Sequence, residues 1–298
     1  MILVTGASGH IGSRVTEILA AKGAQFRAMS RTPDRVGKPN NIEAVYGDFE
    51  DPKSLEKAFD GIKTALIISG NSMPGKRCFE HKIAFQAAKD AKVDHIVYLS
   101  LMGSSPESAF PYSRDHYESE KFLAETGVGF TSLRNAFYLD MFFQKIGPDG
   151  IVRGPAGDGK GAFITREDVA QAAAAAALNP PVGVIDITGP QALSIADVTQ
   201  RFSNLVGREL TYQNETVDVA RVRLQGSLND EWNRDVEIGW FEAIERGELI
   251  PVTDSFEQMT GKPPCTIEQY YEEFPQLFDS LGGKQSAILD DDMKRRLA

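Results

Sequence analysis

The stretch "VTGASGHIG", Val4 to Gly12, decides the fold. "ILVTG" before and into it reads as a buried strand, and the segment from Ile11 to Lys22 reads as a helix that Gly23 stops. Between them Gly6, Gly9 and Gly12 are spaced G-x-x-G-x-x-G. Gly6 permits a sharp exit from the strand. Gly9 lacks a Cβ, so backbone can approach a pyrophosphate. Gly12 lets the helix pack closely on the strand. The helix N-terminus then offers free N–H groups and the positive end of its dipole. Gly6, Ser8, Gly9, His10, Ile11 and Gly12 are therefore expected to hold the phosphates of a dinucleotide.

The pattern continues outward as alternating strands and helices. "FRAMS" and "IEAVYGD" read as strands two and three. Asp51-Pro52 reads as an N-cap followed by proline at the first helical position, with that helix stopping near Gly61. "TALIIS" is continuous and apolar, as a parallel strand buried on both faces should be. A helix from about Lys76 to Ala91, the strand "HIVYLSL", a helix from about Ser113 to Thr126 and the strand "FTSLR" follow. This alternation predicts an α/β Rossmann fold, a doubly wound parallel sheet. After Arg134 the regularity fails. "REDVAQAAAAAAL" reads as a helix stopped by Pro180-Pro181, and "VGVIDITG" as a strand returning to the sheet. Residues 191–278 read as helices and loops. The expected division is a nucleotide-binding domain of 1–134 plus about 168–190, and a small interleaved substrate domain of 135–167 plus 191–281. A polar tail, 282–298, completes the chain.

The 298 residues are 42% hydrophobic and 25% charged, enough for a sizeable core. A net charge of -10 argues against nonspecific nucleic-acid binding, which runs on Lys and Arg. No apolar run approaches a membrane span. Met1 leads straight into a short apolar run, which leaves no room for a signal peptide. Cys78 and Cys265 show neither ligand spacing nor a disulfide framework, so no metal site is expected and a cytoplasmic location is. The expected partner is a small-molecule substrate; a homodimer stays open.

The end of the second strand bears on the cofactor. A NAD binder usually places Asp or Glu there for the ribose 2′-OH. This chain has Ser30-Arg31 with Arg35 nearby, and a guanidinium suits a 2′-phosphate, so NADP(H) is favoured. Asp34 sits late for the acidic role. Asp48 and Phe49 end strand three, where side chains meet an adenine. Ser69 and Gly70 end strand four, where backbone lines the cofactor.

The chain resembles the short-chain dehydrogenase/reductase superfamily, and more closely its atypical NmrA-like branch. The resemblance covers nearly the whole chain. It rests on "VTGASGHIG", "GDFEDPKSLEKAFDG", "HIVYLSLMGS", "DHYESEKFLAETGVGFTSLRNAFYLDMF" and "TREDVAQAAAAAAL". The H-x-x-x-E phrase before "TSLRNAFY" is the most specific part, and is similar to the quinone- and dye-reducing members of the branch. The resemblance implies a ligand cleft between two domains, NADP(H), and hydride transfer to a flat conjugated acceptor such as a quinone, dye, imine or enone. The branch also contains NADP(H)-sensing regulators without catalysis, which is the alternative reading.

"HYESEK" contains Tyr117 and Lys121, four residues apart and so on one helix face. In catalytic members of the superfamily such a tyrosine is the general acid or base, and the lysine holds the nicotinamide ribose and lowers the tyrosine pKa. Ser100 and Ser104 are candidates for the serine partner. The quinone and dye reductases often lack this tyrosine, since their acceptors take hydride directly; the proton then comes from Tyr117 or from water. His116 and Glu120 form a second four-residue pair, read as structural. Asn135 and Tyr138 follow strand six at the ligand-binding edge of the sheet, with Asn135 expected to orient nicotinamide or substrate. Phe137, Tyr138, Met141, Phe142 and Phe143 supply an aromatic floor or fill the domain junction.

Overall fold

In a computed structural model, described over residues 1–37 and 42–282, the strands are β1 (Ile2–Val4), β2 (Phe26–Ser30), β3 (Ile42–Tyr46), β4 (Thr64–Ile68), β5 (His95–Leu101), β6 (Gly129–Asn135), β7 (Ile151–Gly154), β8 (Lys160–Gly161), β9 (Gly183–Ile187), β10 (Leu193–Ser194) and β11 (Thr211–Asn214). The helices are α1 (His10–Ala21), α2 (Pro52–Phe59), α3 (Lys76–Asp90), α4 (Pro111–Glu125), α5 (Phe142–Lys145), α6 (Arg166–Leu178), α7 (Ile195–Val206), α8 (Val217–Gln225), α9 (Glu231–Glu245), α10 (Ser255–Thr260) and α11 (Ile267–Glu273).

Three apolar residues suffice for β1 because parallel neighbours flank it on both sides: Ile2 pairs with Phe26 of β2 and with Thr64 of β4. The sheet runs in the order β3-β2-β1-β4-β5-β6-β9 with every pair parallel. Strand order reverses between β1 and β4, and such a reversal opens a crevice at the C-terminal edge of the strands. Helices close both faces. Val4, Ala7, Val15, Leu19 and Leu66 pack with the alanine-rich face of α6 on one side. Leu3, Leu55, Phe59, Ile67, Phe85 and Tyr98 fill the other. The fold expected from the sequence is the fold observed. Asp51 caps α2 through its side chain, with Pro52 at the first helical position. "VGVIDITG" returns to the sheet as edge strand β9.

Residues 191–278 hold more than helices and loops. Antiparallel β10 pairs with β8, and β11 runs parallel to β7 with Thr211 opposite Ile151. Both pairings escape sequence reading for a physical reason. A two-residue strand has no periodicity, and a parallel partner some sixty residues away leaves no local turn signal. The helices here are better marked: Ser194–Asp197 and Thr266–Gln269 are full capping boxes. The tail of 282–298 lies, apart from Gly282, outside the described residues.

The residues after β6 are held by aromatic packing. Trp240, only 1% exposed, stacks on Phe137 at 5.4 Å and meets Phe142 edge-on at 5.6 Å. Lys145 donates to both Glu237 oxygens at 2.8 Å and lies 4.5 Å from the Trp240 ring centre, so its buried charge is paired and also faces a π surface. Asp140 accepts from the Tyr270 hydroxyl at 2.6 Å and from the Arg166 amide at 3.0 Å, which joins α11 to the start of α6.

Asp168 makes a similar link. Its carboxylate is 2% exposed and accepts from the Thr165 hydroxyl and the Cys265 amide, each at 2.9 Å. Burial pushes its pKa up to about 6, against the lowering effect of those bonds. An acid with a raised folded pKa binds more protons folded than unfolded. Stability therefore rises as pH falls through about 6 towards the unfolded value near 4, by up to about 3 kcal/mol. We expect chemical denaturation at a series of pH values to show this gain, and Asp168→Asn to flatten it. An unchanged pH profile in the variant would remove Asp168 as its source.

Candidate functional site

The glycine turn takes its shape from close packing. Gly6 has φ +61°, a left-handed conformation that suits glycine. A Cβ on Gly12 would collide with the Gly6 carbonyl and lie 2.9 Å from the Ala7 Cα. The helix therefore approaches the turn as closely as backbone allows. Gly9 is the N-cap of α1 and spends no side chain on capping. The N-terminus of α1, where a helix carries the positive end of its dipole, follows directly on this turn. Ser8, in the turn, lies 2.7 Å from the Ser30 hydroxyl at the end of β2, and Ser30 accepts from the Thr32 amide at 2.9 Å. Arg31 and Arg35 are exposed beside this hydroxyl cluster.

Along the same edge, Asp48 and Phe49 follow β3 and are half-buried; the Asp48 amide donates to Ser54 at 2.9 Å. Ser69 and Gly70 follow β4. Ser69 donates to the Leu99 carbonyl at 3.1 Å, and the Gly70 carbonyl accepts from Arg77 Nε at 2.8 Å. Asn135 ends β6, buried, with its amide donating to the Ala136 carbonyl at 3.0 Å. Tyr138 is half-buried; burial raises its pKa, while the charges of Arg166 and then Arg77 oppose the rise. Phe137, Phe142 and Phe143 are buried in the core, whereas Tyr138 and Met141 are partly exposed.

α4 presents His116 and Glu120 inward. Glu120 accepts from Ser100 at 2.6 Å and from both Nε and Nη2 of Arg134, Nε at 2.8 Å. His116 accepts from Arg77 Nη2 at 3.0 Å, and its Nδ1 meets the Tyr98 hydroxyl at 2.7 Å. Arginine has only donors, so His116 Nε2 accepts, and the neutral ring carries its proton on Nδ1 towards Tyr98. Tyr98 and Ser119 then meet His81 Nδ1 at 3.0 and 2.9 Å. Burial first, then the Arg77 charge, holds both histidines well below the usual range, so both are neutral at pH 7.

Tyr117 and Lys121 sit a strip further round α4. Tyr117 is half-buried; Lys121 is exposed, 5.6 Å from the Tyr117 ring centre and 3.7 Å from Glu118. Ser100 faces Glu120 rather than this pair, and Ser104 donates to the Leu101 carbonyl at 2.6 Å. Sequence reading missed Arg77, His81, Tyr98 and Arg134. The one available signal was the four-residue spacing of Arg77 and His81, which puts both on one face of α3. Among the described residues no helix is long and apolar enough to cross a membrane, and no group of His, Cys, Asp and Glu could hold a metal ion.

These features have counterparts among known proteins. Residues 6–180 match the NAD(P)H-binding family model. Quinone oxidoreductase 2 of Escherichia coli is 30% identical over 284 residues, 90% of this chain and 96% of that protein. The crystal structure of the Escherichia coli NADPH-dependent quinone oxidoreductase with NADPH superposes with a TM-score of 0.83 at 27% identity, covering 92% of this chain and 99% of that one. The Citrobacter sp. triphenylmethane reductase with NADP(H) gives 0.82 at 26% identity, again over 92% and 99%. With its glycine turn, its reversed strand order and this length of shared sequence, the chain belongs to the NAD(P)H-binding family, within the NmrA-like branch of the short-chain dehydrogenases/reductases.

Proposed function

We propose that this chain is an NADPH-dependent reductase that passes hydride to a small conjugated acceptor of quinone type. The observation that carries this reading is the turn from Gly6 to Gly12. Its helix head has no side-chain cap, and its last glycine has no room for a Cβ. That geometry serves a bound pyrophosphate and has no other evident use. In this reading Gly6, Ser8, Gly9, His10, Ile11 and Gly12 cradle the phosphates. The hydroxyls of Ser8, Ser30 and Thr32 and the Arg31 guanidinium receive the 2′-phosphate. Asp48 and Phe49 border the adenine. Ser69, Gly70, Asn135 and Tyr138 border the nicotinamide.

Bound there, the reduced nicotinamide supplies the hydride. The protein's share is to orient the acceptor over the cofactor and exclude water. Asn135, held by its bond to the Ala136 carbonyl, fixes the edge against which both rings lie. The proton that completes reduction comes from water, since His116 is committed to Arg77 and Tyr98. The free cysteines Cys78 and Cys265 fit a reducing compartment, and we place the protein in the cytoplasm.

The direct test is NADPH oxidation with a simple quinone. Tight NADPH binding without turnover across quinones, dyes, imines and enones would instead indicate a sensor. Gly12→Ala forces the turn and α1 apart, and we expect NADPH affinity to fall by at least about tenfold. Arg31→Ala should raise KM for NADPH by about tenfold while changing that for NADH less than about twofold. Tyr117→Phe should keep kcat within about threefold, because a quinone needs no enzymic acid. A loss of about a hundredfold or more would make Tyr117 the proton donor.

A further inference from the structure

The most unusual buried group at the sheet edge is Arg77. It is 8% exposed, and among the described residues no carboxylate lies within ion-pair distance of it. The neighbouring acids are engaged elsewhere. Asp115 accepts from the Gly75 amide at 3.0 Å with both oxygens. Glu80 takes the Ser72 hydroxyl at 2.7 Å and faces Lys76 at 3.8 Å. Glu120 is held by Arg134 and Ser100. Arg77 keeps two donors occupied, by the Gly70 carbonyl and His116, while its buried Nη1 has no hydrogen-bond partner among the described residues. A buried guanidinium without a counter-ion and with an unused donor is expensive in free energy, and such an arrangement marks a place where an oxygen acceptor is expected.

Its position indicates which one. Gly70 ends the β4 edge, and the Arg77 charge reaches Tyr138 just past the β6 edge. The Tyr112 ring, itself half-buried, lies 4.4 Å over the guanidinium carbon. We infer that Arg77 determines acceptor specificity: when Tyr112 moves aside, Nη1 donates to a carbonyl oxygen of the acceptor. The site is thereby fitted to quinone-type oxygen acceptors and set against cationic dyes. This deepens the reductase reading and rests on it. In the reaction a quinone takes two electrons and one hydrogen as hydride and becomes the hydroquinone monoanion. Its negative charge lies on oxygen, where Arg77 stabilises it until water supplies the second proton; the dihydronicotinamide leaves oxidised. A cationic dye builds no anion, and it meets a like charge in the cleft.

The test compares menadione, a neutral quinone, with malachite green, a cationic dye, in wild-type protein, Arg77→Gln and Arg77→Lys, with NADPH affinity measured in each. We expect wild-type protein to favour menadione in kcat/KM. Arg77→Gln should lose about a hundredfold on menadione, hold or gain on malachite green, and bind NADPH within about twofold of wild type. Arg77→Lys should recover menadione to within about tenfold of wild type. Parallel loss on both acceptors, or an unchanged ratio, would show Arg77 to be only an anchor between α3 and α4, while the reductase reading survives. A wild-type preference for malachite green also overturns the proposal. Turnover of neither acceptor overturns the reductase reading and this proposal with it. Should the glutamine variant fail to fold, wild-type protein decides through inhibition competitive with menadione. 2-Naphthoate should bind at least about tenfold more tightly than 2-naphthamide, and equal binding refutes the role of Arg77.

Discussion

The backbone of α1 rests against the carbonyl of Gly6, with nothing at Gly12 to hold them apart. Much else follows from that approach. It sets α1 over the end of β1, a strand too short to stand without parallel neighbours on both sides. It makes Gly9 the N-cap of the helix, with no side chain spent on capping. It also sets the turn beside the reversal of strand order between β1 and β4, near the middle of the sheet. In the proposed reading, the phosphate, adenine and nicotinamide sides are distributed along the C-terminal edge by sheet topology, with the glycine turn as their origin.

Beyond the turn, α3 and α4 are held to the sheet by buried polar groups. Arg77, His116, Tyr98, His81 and Ser119 join α3, α4 and β5, while Glu120, Arg134 and Ser100 join α4 to β5 and β6. Such networks stabilise weakly when compared with apolar packing, but they fix geometry, because a broken member leaves its partner buried and unsatisfied. Their neutral histidines and committed carboxylate leave no obvious proton donor among the inward residues of α4. A reaction that needs only hydride from the cofactor and a proton from water suits such a site.

The features legible in the sequence are those carried by local chemistry. Glycine spacing, the Asp51-Pro52 start of α2 and continuous apolar strands announce themselves within a few residues. They are enough for the parallel sheet, the glycine turn and the return of β9. The parts that stayed hidden depend on distant partners. The pairing of β11 with β7 joins two short strands with no turn between them. Tyr117 and Lys121 share a face as their spacing requires, yet spacing does not say which face turns inward; the partners of His116 and Glu120 on β5, β6 and α3 decide that. Arg77 looks like an ordinary helix-start cation until Asp115, Glu80 and Glu120 are each seen to serve another group. The stack of Trp240 on Phe137 likewise joins residues about a hundred apart, which no local pattern announces.

The central claim is that hydride leaves the cofactor held by this turn and enters the acceptor. Anaerobic single-turnover mixing of NADPH-loaded protein with menadione measures it, using NADPH deuterated in turn at each C4 position. The account predicts loss of nicotinamide absorbance matched one for one by hydroquinone, slowed by one of the two labels alone. Persistent absorbance with NADPH bound and quinone present would contradict it.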